Sequence, residues 1–415
     1  MNKTNLKNID LIVKAQELAD EKFSKRAEMH DDEAIFPKQN FIDLKESNFL
    51  TLMAGEEYGG QGINHKSGNI IDQWQITKEF AKADMAFARC WEGHSNAVLL
   101  IDQIGNEEQK RRWFNGIAEK GDIWTAWSGE PQVKKPGQKT SFGTQIQEIE
   151  TGFIVSGTKI FCTSAPGADW AILFVSPSGP GGARHNSGDS DVIMLACDLD
   201  DPSIEFDDSW WSPIGMKASV SYLVHFNETF IPRENLIGYS GQYLKENWQV
   251  KITPQYAATF LGGAEAAYDY TLEYVKKQNR ESDPYVQHRI ARMSMNIETC
   301  NLWLKKTSDH WGAGEIEQAK LASNTSRYYI EQLTTETIQH AIHVCGARSM
   351  IRPSILERIL RDLSFYTRHD NHDQVLATIG KAILGEMHDV SFFNGSKKTL
   401  QTDQILFNPQ IHSKS

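Results

Sequence analysis

The chain has 415 residues, of which 40% are hydrophobic and 23% are charged, and its formal net charge is −11. This length is enough for two or three domain-sized units around a large buried core, and the composition is that of an ordinary globular protein. Because an acidic chain has no general electrostatic attraction for nucleic acid or for an anionic membrane surface, we expect neither as a partner.

The cysteines and the first residues both bear on location. The five cysteines are widely spaced and form no CxxC pair, which is typical of reduced thiols in a cytoplasmic protein. The first 23 residues are amphipathic with acids mixed in, unlike a signal or transit peptide. The sequence contains no run of 18 apolar residues, so we predict no membrane span. We therefore expect a cytoplasmic location.

The N-terminal part, residues 1–121, is predicted to be a helical domain. Apolar residues recur at helical spacing over 11–19 and again over 41–52. After the glycine-rich break GEEYGGQG, a longer helical stretch covers 67–88. A further helix is predicted from Glu107, where acids in the first turn precede bases, an order that suits the helix dipole.

Residues 122–240 have a different pattern and are predicted to be all β. Short apolar runs alternate with turns, as in GFIVSGTKIF, WAILFVSP, VIMLAC and YLVHFNETFIP. Their number suits a small barrel or sandwich. The polar stretch 178–191 predicts a hairpin or a loop.

Residues 241–395 return to helical periodicity, and residues 396–415 form a polar tail. The order helical, β, helical is unusual and narrows the possible folds. The predicted C-terminal helices cover 256–278, 285–307, 315–344, 354–363 and 375–387.

Six segments, in the right order and at the right spacing, carry a resemblance to one family. They are GEEYGGQG, GNEEQKRRWFNGIAEKGD, GTKIFCTSAPGADWAILF, SPIGMKASVSYLVHFNETFIPRENLIG, FLGGAEAAYDYTLEYV and LERILRD followed by HDNHD. The chain therefore resembles the acyl-CoA dehydrogenase superfamily over roughly residues 10–390. The resemblance implies an α+β fold with an N-terminal helical domain, a central β-barrel and a C-terminal four-helix bundle. It also implies a homotetramer and a bound FAD, whose isoalloxazine ring lies between barrel and bundle.

The resemblance assigns flavin contacts in the β region. Ser128 and Gly129, in WSGEP, match the element whose backbone amides meet the flavin pyrimidine edge, and Gly129 stands where the family has Thr. Phe161 matches the aromatic residue that covers the ring. Thr163 matches a residue whose hydroxyl and amide tune the hydride acceptor at N5 or O4. The alternative is that Phe161 and Thr163 are ordinary strand residues.

The resemblance also assigns two catalytic candidates. Eight residues after the pair Arg361-Asp362 the family has a catalytic Glu, and here Asp370 keeps a carboxylate at that register. His369 resembles the His of the flavin-dependent monooxygenase branch, which supports the oxygen adduct. The alternatives are a helix-capping role for Asp370 and a structural imidazole for His369. The string HDNHD lacks a third ligand at motif spacing, so we expect no metal site.

The residues that contact the ADP half of FAD in the family are replaced at several positions of this chain. Gln278 stands where the family Arg grips the diphosphate, Arg280 follows two residues later, and Arg348 is a candidate replacement for the lost cation. These changes predict either FAD held in a different way or FMN in its place. The cofactor-binding candidates in this half of the chain are Arg280, Gly346, Arg348, His372 and Gln374.

Three functions stay open at this point. The first is oxidation of an acyl thioester or similar small organic substrate by proton abstraction and hydride transfer to flavin N5, with an electron-transfer flavoprotein as partner. The second is a two-component monooxygenase that takes reduced FMN or FAD from a flavin reductase and reacts it with O2. The third is a non-catalytic scaffold. The G-S-D turn that helps hold acyl-CoA in the family is missing after WSGEP, which counts against CoA binding.

Overall fold

A computed structural model gives the architecture. It describes residues 3–130, 144–177, 192–369, 372–386 and 388, and the side chains of these residues from residue 10 onward except at 176, 177 and 369. The polar stretch 178–191 and the tail 396–415 lie outside the described residues. The predicted order of helical, sheet and helical regions is confirmed.

The helical N-terminal region precedes the first strand. Its helices are α1 (Lys3–Leu18), α2 (Ala27–Glu33), α3 (Lys38–Glu46), α4 (Ile70–Ala83), α5 (Met85–Ile104) and α6 (Glu107–Asn115).

The helical stretch predicted over 67–88 is two helices. Asp84 has an extended backbone (φ −157°), which ends α4, and its carboxylate accepts hydrogen bonds from the amides of Ala86 and Phe87 at 2.9 and 3.1 Å. This N-cap starts α5, which continues for 20 residues, well beyond the predicted end. All but a few side chains of α5 are buried, so it forms the centre of this region.

Within the described residues, eight strands form one mixed sheet. In spatial order they run β6-β7-β3-β2-β4-β5-β8, and β1 pairs with β4 in parallel. Their bounds are β1 Trp124–Trp127, β2 Gln145–Ile149, β3 Gly152–Cys162, β4 Trp170–Pro177, β5 Ile193–Asp198, β6 Ile204–Asp207, β7 Tyr222–Pro232 and β8 Leu236–Ile237.

The C-terminal region is again helical. Within the described residues, no helix combines the length and the low charge that a membrane span requires. The helices are α7 (Gln242–Lys245), α8 (Trp248–Lys277), α9 (Pro284–Gly312), α10 (Ile316–Cys345), α11 (Ile355–Tyr366) and α12 (His372–Ile383).

One buried histidine joins the N-terminal helices to the sheet. His94, on α5, contacts the Leu50 carbonyl through Nε2 at 2.9 Å, and its Nδ1 accepts the amide hydrogen of Trp124 at 3.0 Å. Burial lowers the pKa of His94 to about 4, so the imidazole is neutral and can accept at one nitrogen while it donates at the other. Trp124 also stacks on Trp170 with ring centroids 5.3 Å apart. The start of β1 is therefore fixed against α5.

Candidate active site between the sheet and helix α11

Four residues predicted from the sequence come together where β1 and β3 end. The carbonyl of Thr163 accepts hydrogen bonds from Thr125 Oγ1 and from Trp127 Nε1, both at 3.0 Å. The amide of Ile160 donates to the carbonyl of Gly129 at 3.1 Å. These bonds tie the end of β1 to the end of β3, and we call the group they assemble the sheet cradle. It consists of Ser128, Gly129, Phe161 and Thr163.

Close backbone packing explains the glycine at position 129. A Cβ atom built on Gly129 would lie 2.4 Å from the carbonyl oxygen of Ile160, which leaves no room for a side chain. The family Thr is therefore incompatible with this backbone. The amide of Gly129 makes no hydrogen bond to any described residue, so it is available as a donor.

Thr163 ends a chain of three buried hydroxyls. Its Oγ1 lies 3.0 Å from Ser221 Oγ, which in turn lies 2.9 Å from Ser219 Oγ. Ser221 Oγ also lies 3.4 Å from the Ser219 carbonyl oxygen, so all three hydroxyl protons can be used within this group. Thr163 is the member of the chain that belongs to the sheet cradle, and its hydroxyl oxygen keeps a lone pair that can accept a further hydrogen bond.

Phe161 gives the sheet cradle an open aromatic face. Its backbone is left-handed (φ 54°) and its side chain is 50% exposed, which is rare for a phenylalanine at the end of a buried strand. Its ring contacts Trp210 edge-on at 5.0 Å, Trp210 contacts Trp211 at 5.8 Å, and Trp211 contacts Phe365 at 6.0 Å. This aromatic row connects the sheet cradle with α11.

Two acidic contacts hold α11 in place. Arg361 forms paired hydrogen bonds with Asp31 at 3.1 and 2.6 Å and with Glu357 at 2.6 and 2.9 Å. The buried carboxylate of Asp362 accepts the amide hydrogen of Met216. Gly215 precedes that amide, and a Cβ there would lie 2.2 Å from the backbone of Arg361. The Arg361-Asp362 pair thus fixes the second half of α11 against α2 and against the segment that precedes β7.

The two catalytic candidates follow this fixed helix end. The chain leaves α11 through a short 3-10 turn, Thr367–His369. Asp370 and the side chain of His369 lie outside the described residues, so their roles remain predictions. Among the described side chains, no group of three or more His, Cys, Asp or Glu residues could hold a metal ion.

A buried ionic cluster, missed from the sequence, lies between the sheet cradle and this turn. Glu92 is fully buried on α5 and accepts hydrogen bonds from Arg89 Nη1 (3.1 Å), from the Tyr366 hydroxyl (2.5 Å) and from the Thr259 hydroxyl. We call Arg89, Glu92, Thr259 and Tyr366 the Arg89 cluster. Burial is the main cause that raises the pKa of Glu92 above its usual value. The sequence offered one signal, the charged pair within the otherwise apolar AFARCWEGHSNAVLL.

Cys90 places the Arg89 cluster next to the sheet cradle. Its Sγ lies 3.9 Å from the carbonyl oxygens of Ala218 and Ser219, and Ser219 belongs to the hydroxyl chain that ends at Thr163. On the other side, Tyr366 is the last residue of α11. The cluster therefore bridges the sheet cradle and the turn that carries the catalytic candidates.

His372 and Gln374 lie at the start of α12, close to α10. The His372 imidazole is 2.6 Å from the carboxylate of Glu331, which also pairs with the buried Arg327 at 2.6 Å. The guanidinium of Arg327 stacks over Phe260 at 4.5 Å, and Phe260 contacts Tyr366 at 5.2 Å. His372 is thus linked through buried residues to the Arg89 cluster, while Gln374 is half-buried.

The other three cofactor candidates lie elsewhere. Arg280 donates to the Val344 carbonyl and to Asp283, both at 3.0 Å, which places it beside Gly346, the residue that ends α10. Arg348 follows in an exposed 3-10 turn. Arg280 lies just beyond the far end of α8, about five helical turns or roughly 27 Å from Thr259. The structure therefore separates Arg280, Gly346 and Arg348 from the sheet cradle.

Comparison with known proteins identifies the family. The N-terminal domain pattern of acyl-CoA dehydrogenase matches residues 9–121, and the C-terminal domain pattern matches residues 255–374. Dibenzothiophene monooxygenase of Rhodococcus erythropolis is 21% identical, with 85% of this chain and 88% of that protein covered. The probable acyl-CoA dehydrogenase YngJ of Bacillus subtilis is 22% identical, with coverage of 84% and 90%.

Solved structures share the fold of this chain. TdsC of Paenibacillus sp. A11-2, in complex with FMN and indole, superposes with a TM-score of 0.80 at 19% identity and covers 94% of this chain and 99% of its own. Butyryl-CoA dehydrogenase of Megasphaera elsdenii superposes with a TM-score of 0.79 at 20% identity, with coverage of 92% and 99%. At these identities the structural likeness shows the fold alone.

Proposed function

We propose that this chain, which belongs to the acyl-CoA dehydrogenase family, binds reduced FMN at the sheet cradle and uses it with O2 to oxygenate a small organic substrate. The flavin, when bound, supplies the two electrons of the reaction. One oxygen atom enters the substrate and the other leaves as water. A separate flavin reductase supplies the reduced cofactor, and cytoplasmic location and a homotetramer remain predictions from the sequence.

The observation that carries the proposal is the composition of the sheet cradle. A reduced flavin ring needs a flat apolar surface and hydrogen-bond partners at its polar edge, where it both accepts and donates. The half-exposed ring of Phe161, the available amide of Gly129 as donor and the Thr163 hydroxyl oxygen as acceptor meet those needs. The residues present therefore fit the isoalloxazine group.

The diphosphate end of the chain supports FMN over FAD. Arg280 is already bonded to a carbonyl and to the carboxylate of Asp283, so much of its charge is compensated within the protein. Arg348 is exposed on a short turn and remains the candidate for any diphosphate contact. A cofactor without an ADP half needs neither residue. FMN-bound TdsC and the probable FMNH2-dependent monooxygenase SfnC of Pseudomonas putida are relatives of that kind.

In this proposal the chain's own residues hold protons and exclude water. The Thr163 hydroxyl would accept a hydrogen bond at the flavin edge, and the aromatic row from Phe161 to Phe365 would shield the reacting face. His369 is proposed as the proton donor at this face, where the bound flavin would supply the electrons for O2. His372 is proposed to orient this turn through Glu331, and Gln374 stays a predicted cofactor contact.

Replacing one hydroxyl tests the proposal. Thr163→Val should weaken the hold on reduced flavin, so that peroxide release after O2 admission rises about fivefold, the effect of one lost hydrogen bond. Thr229→Val is the matched control, because it removes a buried hydroxyl about seven residues along β7 from the site, roughly 23 Å away. If the wild-type protein releases peroxide as fast as free reduced FMN does, the proposal fails. His369→Ala should raise peroxide release while flavin binding persists.

A dehydrogenase is the second candidate, favoured by the fixed end of α11. Arg361 and Asp362 hold α11 in place, and in the sequence Asp370 follows this pair at the spacing that the family has for its catalytic carboxylate. Asp370 would then remove a proton from the substrate while hydride passes to bound FAD. Anaerobic reduction of the FAD-loaded protein by butyryl-CoA, lost in Asp370→Asn, is the expected result for this candidate. Absence of reduction by acyl-CoA thioesters would remove it.

A further inference from the structure

We infer that Arg89 anchors a carboxylate group of the substrate, an inference that rests on the proposed function because it assigns a substrate class to the same site. Arg89 lies on α5 next to Cys90, which faces the hydroxyl chain of the sheet cradle. It also lies against Tyr366 at the end of α11. A group bound to Arg89 would therefore lie between the cradle and the catalytic turn.

The hydrogen bonding of Arg89 is incomplete. A guanidinium carries five N–H donors, and within the described residues Arg89 uses one of them, toward Glu92 at 3.1 Å. This distance is longer than the 2.7–2.9 Å typical of a charge-assisted hydrogen bond. Glu92 receives two further hydrogen bonds, from Tyr366 and Thr259. The carboxylate is thus satisfied by neutral donors, while the guanidinium fork is left largely open.

The ion pairs of Arg361 show what a purely structural arginine looks like in this chain. Arg361 closes two forked contacts, one with Asp31 and one with Glu357, and leaves little unused. Arg89 instead is held by cation–π contacts to Tyr256 at 5.4 Å and Tyr366 at 5.8 Å. These contacts position the guanidinium without using its donors.

The surroundings make an oxyanion the matching ligand. The side chain of Arg89 is 16% exposed whereas that of Glu92 is fully buried, so Arg89 is the member of the pair that a ligand can reach. A planar carboxylate takes two parallel N–H bonds from a guanidinium. The aromatic rings of Tyr256, Tyr366 and Phe260 suit an apolar or aromatic body attached to that carboxylate.

Benzoate and benzamide, which have the same shape and differ in charge, test the inference. Calorimetric titration of the FMN-loaded protein should show benzoate bound about tenfold to a hundredfold more tightly than benzamide. Arg89→Met should abolish this preference and Arg89→Lys should keep only part of it. Arg112→Met is the control, since Arg112 also stacks on an aromatic ring, Trp113, but at a different part of the molecule.

Glu92→Gln provides a test whose expected result, tighter benzoate binding, cannot come from loss of folding. Removing the negative charge beside Arg89 should tighten benzoate binding, whereas a structural role for the pair predicts weaker binding in both variants. Equal affinity for benzoate and benzamide in the wild type, or unchanged or weaker benzoate binding in Glu92→Gln, would overturn the inference. Repeating the titrations without FMN separates the two claims. Arg89-dependent benzoate binding by a protein that binds no flavin would refute the proposed function alone.

Discussion

At the scale of single residues, the site depends on positions where backbone packing decides the side chain. Gly129 is the clearest case, because the carbonyl of Ile160 occupies the place where a Cβ would lie. The same contact leaves the amide of Gly129 available to donate. The threonine side chain of the family can thus be absent at position 129 while the backbone amide is still able to contact a flavin.

Gly129→Ala should separate β1 from β3. The clash with the Ile160 carbonyl should lower the free energy of unfolding by about 1–3 kcal/mol and weaken FMN binding. Gly380→Ala, in α12, is the control, because nothing lies within 4 Å of the added methyl and the helix tolerates alanine. Urea denaturation and FMN titration of both variants measure the difference. Wild-type stability and FMN affinity in the Gly129→Ala variant would contradict this interpretation of the cradle.

Asp362 gives the molecule a pH dependence. Burial raises the pKa of its carboxyl to about 7, although the Met216 amide opposes the shift. Because the folded-state pKa lies above the unfolded one, the stability that this group contributes is complete below about pH 4 and is lost as pH rises through about 7. Between pH 5 and pH 8 the wild type should lose about 2–4 kcal/mol relative to Asp362→Asn.

Chemical denaturation at both pH values tests this expectation. Asp309→Asn, at a mostly exposed carboxylate paired with Lys305, should follow the wild-type pH profile. If Asp362→Asn shows the same pH slope as the wild type, Asp362 does not cause it.

Residues within one short motif could be predicted, while contacts between distant segments could not. Phe161 and Thr163 lie within a few residues of each other, so a local resemblance placed both. Glu92 meets Tyr366 from 274 positions away and Thr259 from 167. Only the packing of α5, α8 and α11 against one another creates that cluster, and a sequence pattern shows no more than charges within an apolar helix.

At the scale of elements, the break between α4 and α5 shows what local periodicity misses. The apolar spacing continues across residue 84, so the sequence predicted one helix. Asp84 has a side chain that competes for backbone amides, and it caps α5 in an extended conformation. This cap turns α5 so that Arg89 and Glu92 reach α8 and α11.

Helix α11 should depend on Arg361. Arg361→Met leaves the nearly buried Asp31 with only Arg352, at 3.6 Å, and should cost about 2–4 kcal/mol of unfolding free energy. Arg292→Met is the control, because its pair with Glu336 is 45% and 36% exposed and should contribute less than about 1 kcal/mol. Hydrogen exchange over Ile355–Tyr366 should accelerate in the first variant alone. Unchanged exchange there would show that Arg361 does not hold the helix.

At the scale of the whole molecule, the helix–sheet–helix order places two groups of candidate site residues far apart. The sheet cradle and the Arg89 cluster face each other beside α11, while Arg280, Gly346 and Arg348 lie beyond the far end of α8. The sequence predicted all of these residues as cofactor contacts except the Arg89 cluster. The sequence could not predict that the Arg280 side chain forms hydrogen bonds within the protein, because its contact with the end of α10 depends on how α8 and α10 end side by side.

The most direct test is an anaerobic titration of the purified, flavin-free protein with reduced FMN and with reduced FAD. Our account predicts that reduced FMN binds at least as tightly as reduced FAD, and that Thr163→Val weakens both to the same extent because the ADP half contributes little. Tightly bound FAD that co-purifies with the protein and is not displaced by FMN would contradict the account and favour the dehydrogenase.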